Sequence, residues 1–376
     1  MNKTVAIITM HRVLNYGSIL QTLALYKYIF SLEYDVSIVD YNFPNEYHMS
    51  VSRKSVLTQV QNSWLINHLN GICSRLMAYT PQKKIEAFRD FIGKNIILSH
   101  HYKNEYELKE KPVIADIYVT GSDQVWNPRY IGDDMTFALD WVNGENAVKV
   151  SYASSFGSKV CPAAFGEKLL PLLKQYRHLS LREDNEFLRT NKLDYTITLD
   201  PTFLLDKNQW QEYIDSTPLV KGRYILCYLI GYSYNPFPYV NQLVRYIHKE
   251  TGLKVVMIDG EPRNFLRGYK LFNNIGPKEF LNLFYNTSFV LTTSFHGTAF
   301  AINFNKPFLT VVDSATDNDN RQSNIVNLVG LDDSHIVKCG TPLSKVKVPI
   351  LQTTIAPKLE IERKKSQKFI STSLNG

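Results

Sequence analysis

Cysteine is scarce in this chain: four among 376 residues, at positions 73, 161, 227 and 339, far apart and without paired metal-site spacing. That scarcity speaks against a disulfide-stapled fold and gives the expectation of a reduced cytoplasmic protein with free thiols. No G-x-G-x-x-G fingerprint, Walker A loop, G-x-S-x-G elbow or H-E-x-x-H helix is present. The corresponding dinucleotide, nucleoside-triphosphate, serine-hydrolase and zinc-protease schemes are set aside. Aspartates are frequent, but no cluster commands a metal, so none is expected. No run approaches the roughly 20 apolar residues that span a bilayer. The opening Val5–Ala6–Ile7–Ile8 is far shorter than a secretion signal. No basic stretch interleaved with aromatics stands out, so nucleic acid is not an expected partner.

What is present is an ordinary soluble mixture, 44% hydrophobic and 20% charged, long enough for two domains with separate cores. The net charge of +7 suits an anionic small molecule or an anionic lipid surface. Val5 to Thr9 is apolar as in a strand buried on both faces. Helically spaced Ile19, Leu20, Leu23 and Ala24 follow, then a second strand over Val36 to Asp40. Further strands are predicted at 113–123, 148–153, 179–182 and 196–200, and after Gly222 at 224–230, 253–259, 289–293 and 308–312, with helices at 239–249, 277–285 and 298–304. The expected fold is α/β, with two Rossmann-like domains facing a cleft. The domains are 1–206, with a helical insertion at about 47–110, and 207–376, whose terminal helix is expected to cross back to the first.

Residues 47–85 contain no acidic side chain, while Arg53, Lys54, Arg75, Lys83 and Lys84 are basic and Val60, Trp64, Leu65, Leu69, Ile72 and Leu76 keep roughly helical spacing. Such a helix either packs on the first domain or rests on a membrane surface.

Ligands of open α/β sheets sit beyond the carboxyl ends of the strands, so the polar residues there are the candidates. Thr293–Ser294–Phe295–His296–Gly297–Thr298 joins an apolar strand to a helix. Free N–H groups at that helix start favour an anion, Gly297 permits close backbone approach, and His296 supplies a proton or a positive charge. Gly121–Ser122–Asp123 ends another strand, and Asp123 suits a base, an orienting group or a turn cap. Arg182, beside Glu183 and Asp184, offers a planar fork for carboxylate or phosphate. Asp200–Pro201–Thr202 reads as a strand-stopping turn. His11, Arg12, Asn15, Tyr16, Gly17 and Ser18 frame a second anion or glycan subsite, and Arg321 lies in a polar stretch before a helix.

Taken in order, Asn15–Tyr16–Gly17–Ser18, Gly121–Asn127, Ser151–Gly157, Leu181–Arg182–Glu183, Asp200–Pro201–Thr202 and Ser294–Phe295–His296–Gly297 resemble the polysaccharide pyruvyl transferase family over about the first 330 residues. Glu183 stands where many members carry aspartate. The resemblance implies a GT-B-like fold and transfer of pyruvate from phosphoenolpyruvate to a glycan sugar as a cyclic ketal, in surface or capsular polysaccharide biosynthesis. It implies no cofactor beyond that donor substrate. His296, Asp123 and Arg182 would carry the chemistry, with Arg182, Ser294, Gly297, Thr298, Asn15, Tyr16 and Arg321 binding substrate. The acceptor is expected to be a glycan or a lipid-linked oligosaccharide, with the protein cytoplasmic or peripheral at the inner membrane face. The competing readings are a GT-B glycosyltransferase using a nucleotide sugar and a non-catalytic glycan-binding member.

Overall fold

The computed structural model describes residues 2–43, 64–76, 80–144, 147–231, 234–314, 321–348 and 356–375. The chain divides into two compact units. The first comprises Met1–Val51, Ile92–Leu205 and Glu360–Gly376, and the second Ser52–Phe91 and Asp206–Leu359.

The first unit is built on five parallel strands: β1 (Thr4–Ile8), β2 (Asp35–Tyr41), β3 (Leu98–Tyr102), β4 (Ile117–Thr120) and β5 (Val148–Ser151), in the order β3-β2-β1-β4-β5. The continuous apolar runs of β1 and β4 are buried along nearly their whole length, which is what a parallel sheet covered on both faces requires. A short parallel pair, β6 (Ser180–Leu181) and β7 (Thr196–Ile197), continues beyond β5 through single bridges at Val150 and Ser154.

Helices of eight residues or more carry labels here. Helix α1 (Tyr16–Ser31) links β1 to β2 and is buried over most of its length. The next helices are α2 (Trp64–Leu76), α3 (Pro81–Asn95) and α4 (Ala163–Leu173).

The second unit repeats the plan with β8 (Tyr224–Tyr228), β9 (Lys254–Ile258), β10 (Lys270–Phe272), β11 (Phe289–Thr292), β12 (Phe308–Val312) and β13 (Ile336–Lys338), ordered β10-β9-β8-β11-β12-β13 and all parallel. Its helices are α5 (Tyr239–Thr251), α6 (Pro277–Asn286), α7 (Phe295–Asn303) and α8 (Arg321–Leu328). In both sheets the strand order reverses beside the first strand, at β1/β4 and at β8/β11. That reversal is where open α/β sheets form a crevice.

The last helix, α9 (Leu359–Asn375), docks on the first unit. Arg363 donates to the carbonyls of Phe203 at 2.6 Å and Leu205 at 3.2 Å, Ser366 Oγ accepts from Leu199 N–H at 2.9 Å, and Tyr34 reaches Asn375 at 2.8 Å.

The helical insertion expected within the first domain over 47–110 is divided differently. Residues 52–91 belong to the second unit, and 92–110 supply β3 and a short helix to the first. The physical reason is local: α2 accepts from Arg263 N–H through Asn70, and Lys84 of α3 is buried against Asp259. Val60, Arg53 and Lys54 lie outside the described residues.

Candidate active site

At the first unit's reversal point, the turn after β4 meets the start of α1. Ser18 donates to the carboxylate of Asp123, which also accepts from the N–H of Gln124 at 2.9 Å. Asp123 has φ +74, a left-handed backbone that is costly for a non-glycine residue. Strain of this kind persists where the surroundings fix it, and it clusters at functional positions. Here the fixing bonds come from Gln21, which donates to Thr9 Oγ1, and from Thr9, which donates to the carbonyl of Ser122.

Asn15 caps α1, accepting from Gly17 and Ser18 N–H. Tyr16, expected to touch substrate, has no exposed surface and is a core residue. The first helical turn must be enclosed for Ser18 to reach Asp123.

Four of the sequence motifs converge on one buried polar network. Arg182 pairs through its Nη1 with Asp200 at 3.1 Å and through its Nε with Glu183 at 3.4 Å. Asp200 further accepts from Ser122 Oγ at 3.2 Å, Thr202 N–H at 3.0 Å and Thr202 Oγ1 at 2.8 Å. Glu183 accepts from Ser155 Oγ. Thus Asp200, read from sequence as a turn residue, is a wholly buried partner of the cation. One guanidinium faces two carboxylates, and its plane is fixed from both sides. Gly157, at φ +64, closes this corner: a Cβ there would sit 1.9 Å from Gln124 Oε1, itself bonded to Asn127.

The second unit's reversal point carries the other motif. Thr293 exchanges hydrogen bonds with the backbone of Ile230, donating at 2.7 Å and accepting at 2.6 Å, and so ties the ends of β8 and β11 together. Ser294 caps α7 by accepting from Gly297 N–H at 3.4 Å. His296, in the first turn, is 7% exposed, with its ring edge-on to Phe295 at 5.2 Å.

Two expectations for this turn are corrected. The N–H of Gly297 is taken by Ser294 and that of Thr298 by the Ser294 carbonyl at 3.0 Å, while the Thr298 hydroxyl bonds Ser294 and Thr310. Neither group is left for an anion. Gly297 is required instead by packing, because a Cβ would lie 2.2 Å from Thr292 Oγ1. Arg321 is the first residue of α8, and its neighbour Gln322 donates to the Thr293 carbonyl at 2.9 Å. Residues 317–320 of the polar stretch lie outside the described part.

Sequence reasoning counted Lys84 only among the basic residues of 47–85 and missed that it is buried and bonds both oxygens of Asp259, at 2.6 and 2.8 Å, at the end of β9. It also missed the partner of the first-strand residues. Asp40 accepts from His11 at 2.9 Å and from Arg12 at 2.5 and 2.7 Å, and His101 lies 3.2 Å from it. Burial pushes the Asp40 carboxyl upward, but the bonds from His11 and Arg12 outweigh it and hold the pKa well below the usual range. A lowered folded-state pKa contributes stability above the ordinary value of about 3.9. That contribution is lost as pH falls below it towards the folded pKa. Asp40→Asn is therefore expected to cost about 3 kcal/mol at neutral pH and to flatten the fall in Tm below about pH 4. Thermal melts across that range check this, and an unchanged acid limb would remove Asp40 as its source.

Among the described residues, no group of three or more His, Cys, Asp or Glu side chains is arranged to hold a metal ion, and no helix is long and apolar enough to cross a membrane. The family model described as polysaccharide pyruvyl transferase matches residues 15–314, a span holding Asp123, Arg182, Asp200 and the Ser294–Gly297 turn. No curated protein matches the sequence. Among solved structures, UDP-GlcNAc 2-epimerase from Methanocaldococcus jannaschii is 11% identical, with all of both chains covered and a TM-score of 0.51. The UDP complex of S. aureus MnaA is 13% identical over 99% of this chain and 91% of that one, with a TM-score of 0.50. At these identities the likeness shows the fold alone, the α/β GT-B class with two Rossmann-like units.

Proposed function

This chain belongs to the polysaccharide pyruvyl transferase family, and from that membership we propose that it moves pyruvate from phosphoenolpyruvate onto two hydroxyls of a glycan sugar. The product is a cyclic ketal and the leaving group is phosphate. The observation that carries the reading is that family motifs lie at the reversal point of each sheet, Asp123 with Ser18 in one and Ser294 to Gly297 in the other.

The chemistry balances over two additions. A proton delivered to the methylene carbon converts it to a methyl group and makes C2 electrophilic. The first sugar hydroxyl attacks C2, forming a C–O bond and giving up its proton. The bond between C2 and the phosphate oxygen then breaks with its electron pair on phosphate, and the second hydroxyl closes the ring. Of the two hydroxyl protons, one replaces that delivered to carbon and the other leaves with phosphate. His296 is suited to deliver the proton. Arg182, its plane held by Asp200 and Glu183, is the fork that would orient the donor's carboxylate or phosphate by hydrogen bonds. Asp123 accepts or orients the proton of the attacking hydroxyl, with Ser18 holding its carboxylate. The acceptor is a surface or capsular glycan, free or lipid-linked.

Ligand linkage tests the donor directly. Phosphoenolpyruvate at about 100 times its Kd should stabilise the protein by about 2.7 kcal/mol, whereas UDP-sugars should leave the melting curve where it is. A glycan screen read by phosphate release and product mass then identifies the acceptor. Stabilisation by nucleotide sugars alone, without phosphate release from phosphoenolpyruvate, would overturn the proposal in favour of glycosyl transfer.

A further inference from the structure

The acid-free stretch leaves a face in the second unit that the chemistry above does not use. Helix α2 packs on the 3₁₀ turn Pro262–Arg267, with Asn70 Oδ1 accepting from Arg263 N–H at 3.1 Å. Cys73 is buried, so the two elements are anchored by one side of the helix. The edge of that face presents Leu69 and Ile72, each 44% exposed and three residues apart, where helical side chains are neighbours. The adjoining turn presents Phe265 and Leu266, exposed by 50% and 63%. A groove of about 600 Å³ continues from Phe265 along the edge strand β10, lined by Tyr269, Leu271 and Phe272.

The exposed charges adjoining these residues include three of one sign. Arg75, Arg267 and Lys270 are exposed, whereas Glu261 is buried and paired with Arg263 at 2.6 Å. Residues 47–85 contribute no acid at all. Large aliphatic and aromatic side chains left in water beside unneutralised cations have a defined complement. It is a surface with hydrocarbon below and negative charge at the level of the arginines. A soluble glycan would meet the aliphatic Leu69, Ile72 and Leu266 poorly, because sugar faces are held by aromatic rings and hydrogen-bonding groups.

We propose that α2 and the Pro262–Arg267 turn dock this protein onto an anionic lipid bilayer, with Leu69, Ile72, Phe265 and Leu266 entering the headgroup–acyl boundary and Arg75, Arg267 and Lys270 facing lipid phosphates. The docking would hold the enzyme at the surface where a lipid-linked acceptor is available. Only that last consequence rests on the pyruvyl-transfer proposal.

Flotation of the full chain with phosphatidylcholine vesicles, with and without phosphatidylglycerol, needs neither donor nor acceptor, so its failure and the failure of the enzymatic reading are distinguishable. The protein is expected to float with the anionic vesicles only and to be released by salt. Arg75→Glu with Arg267→Glu, and separately Ile72→Glu with Leu266→Glu, should each weaken partitioning about tenfold or more; because Arg267 also donates to Asn264 at 2.6 Å, melting curves of both double variants separate loss of docking from loss of fold. Three results would overturn the proposal. One is no partitioning into anionic vesicles, and another is partitioning that both double variants retain. The third is a vesicle-free dimer that the Ile72→Glu, Leu266→Glu variant abolishes, which would make the face a contact between copies.

Discussion

Replacing Arg182 with alanine is expected to cost the fold about 4 kcal/mol. The loss follows from what the arginine leaves behind rather than from what it contributes alone. Asp200 is wholly enclosed and Glu183 nearly so, and both carboxylates face the guanidinium. Without it, two negative charges remain in a low-dielectric corner, facing neutral donors such as Ser122, Ser155 and Thr202 N–H. Removing one of those charges as well should recover part of the loss, so Arg182→Ala combined with Asp200→Asn is expected to be more stable than Arg182→Ala alone. Urea unfolding followed by tryptophan fluorescence reads both. Additive losses in the double variant would mean that the pair is not coupled as described. The same result bears on activity measurements, because an inactive Arg182→Ala protein is interpretable only where the folded population has been measured.

The second large effect falls on turnover. His296→Gln is expected to lower phosphate release from phosphoenolpyruvate by about 100- to 10,000-fold, the usual contribution of a positioned acid. Glutamine keeps a polar side chain of similar reach but cannot carry the proton. Because His296 stands in the first turn of α7, whose cap is Ser294 and whose close packing is at Gly297, the substitution leaves cap and packing in place. Melting temperature should therefore change little while the rate collapses. Single-turnover phosphate release with an acceptor found in the screen is the measurement, and a rate within a few-fold of the parent would exclude His296 as the acid.

Both sheets were legible where their strands are continuous apolar runs. Val5 to Ile8, Tyr224 to Tyr228, Phe289 to Thr292 and Phe308 to Val312 are each buried on both faces, and such burial favours hydrophobic residues at nearly every position, Thr292 and Thr310 being the polar exceptions. The missed strands are the edges. Leu98–Ser99–His100–His101–Tyr102 has a single neighbour and is partly exposed, so its composition carries no strand signal, and β10 and β13 are three residues each.

The site divides the same way. Motif order brought forward Asp123, Arg182 and His296, because polar residues at strand ends stand out against apolar runs. Their partners were not legible, since Arg182 with Asp200, Lys84 with Asp259 and Arg12 with Asp40 are made by strand adjacency and long-range packing, which no local period encodes. Gly297 shows the opposite error. Its position suggested ligand approach, while its requirement comes from Thr292 of the preceding strand.

The docking of α9 bears on how this chain comes into being. Its seventeen residues come after every strand of both sheets, yet Arg363 and Ser366 satisfy backbone groups of Phe203, Leu205 and Leu199, and Phe369 lies against Tyr152. As the chain leaves the ribosome, the unit that begins first is thus completed last. Until residue 375 has emerged, a carbonyl cluster near Leu205 and the face of Tyr152 wait for their cover. The second unit, whose sheet is contained within residues 224–338, has all its strands before then. A break in the chain between residues 205 and 206 would therefore separate the first unit from its own closing helix, so that neither sequence half alone carries a whole folding unit.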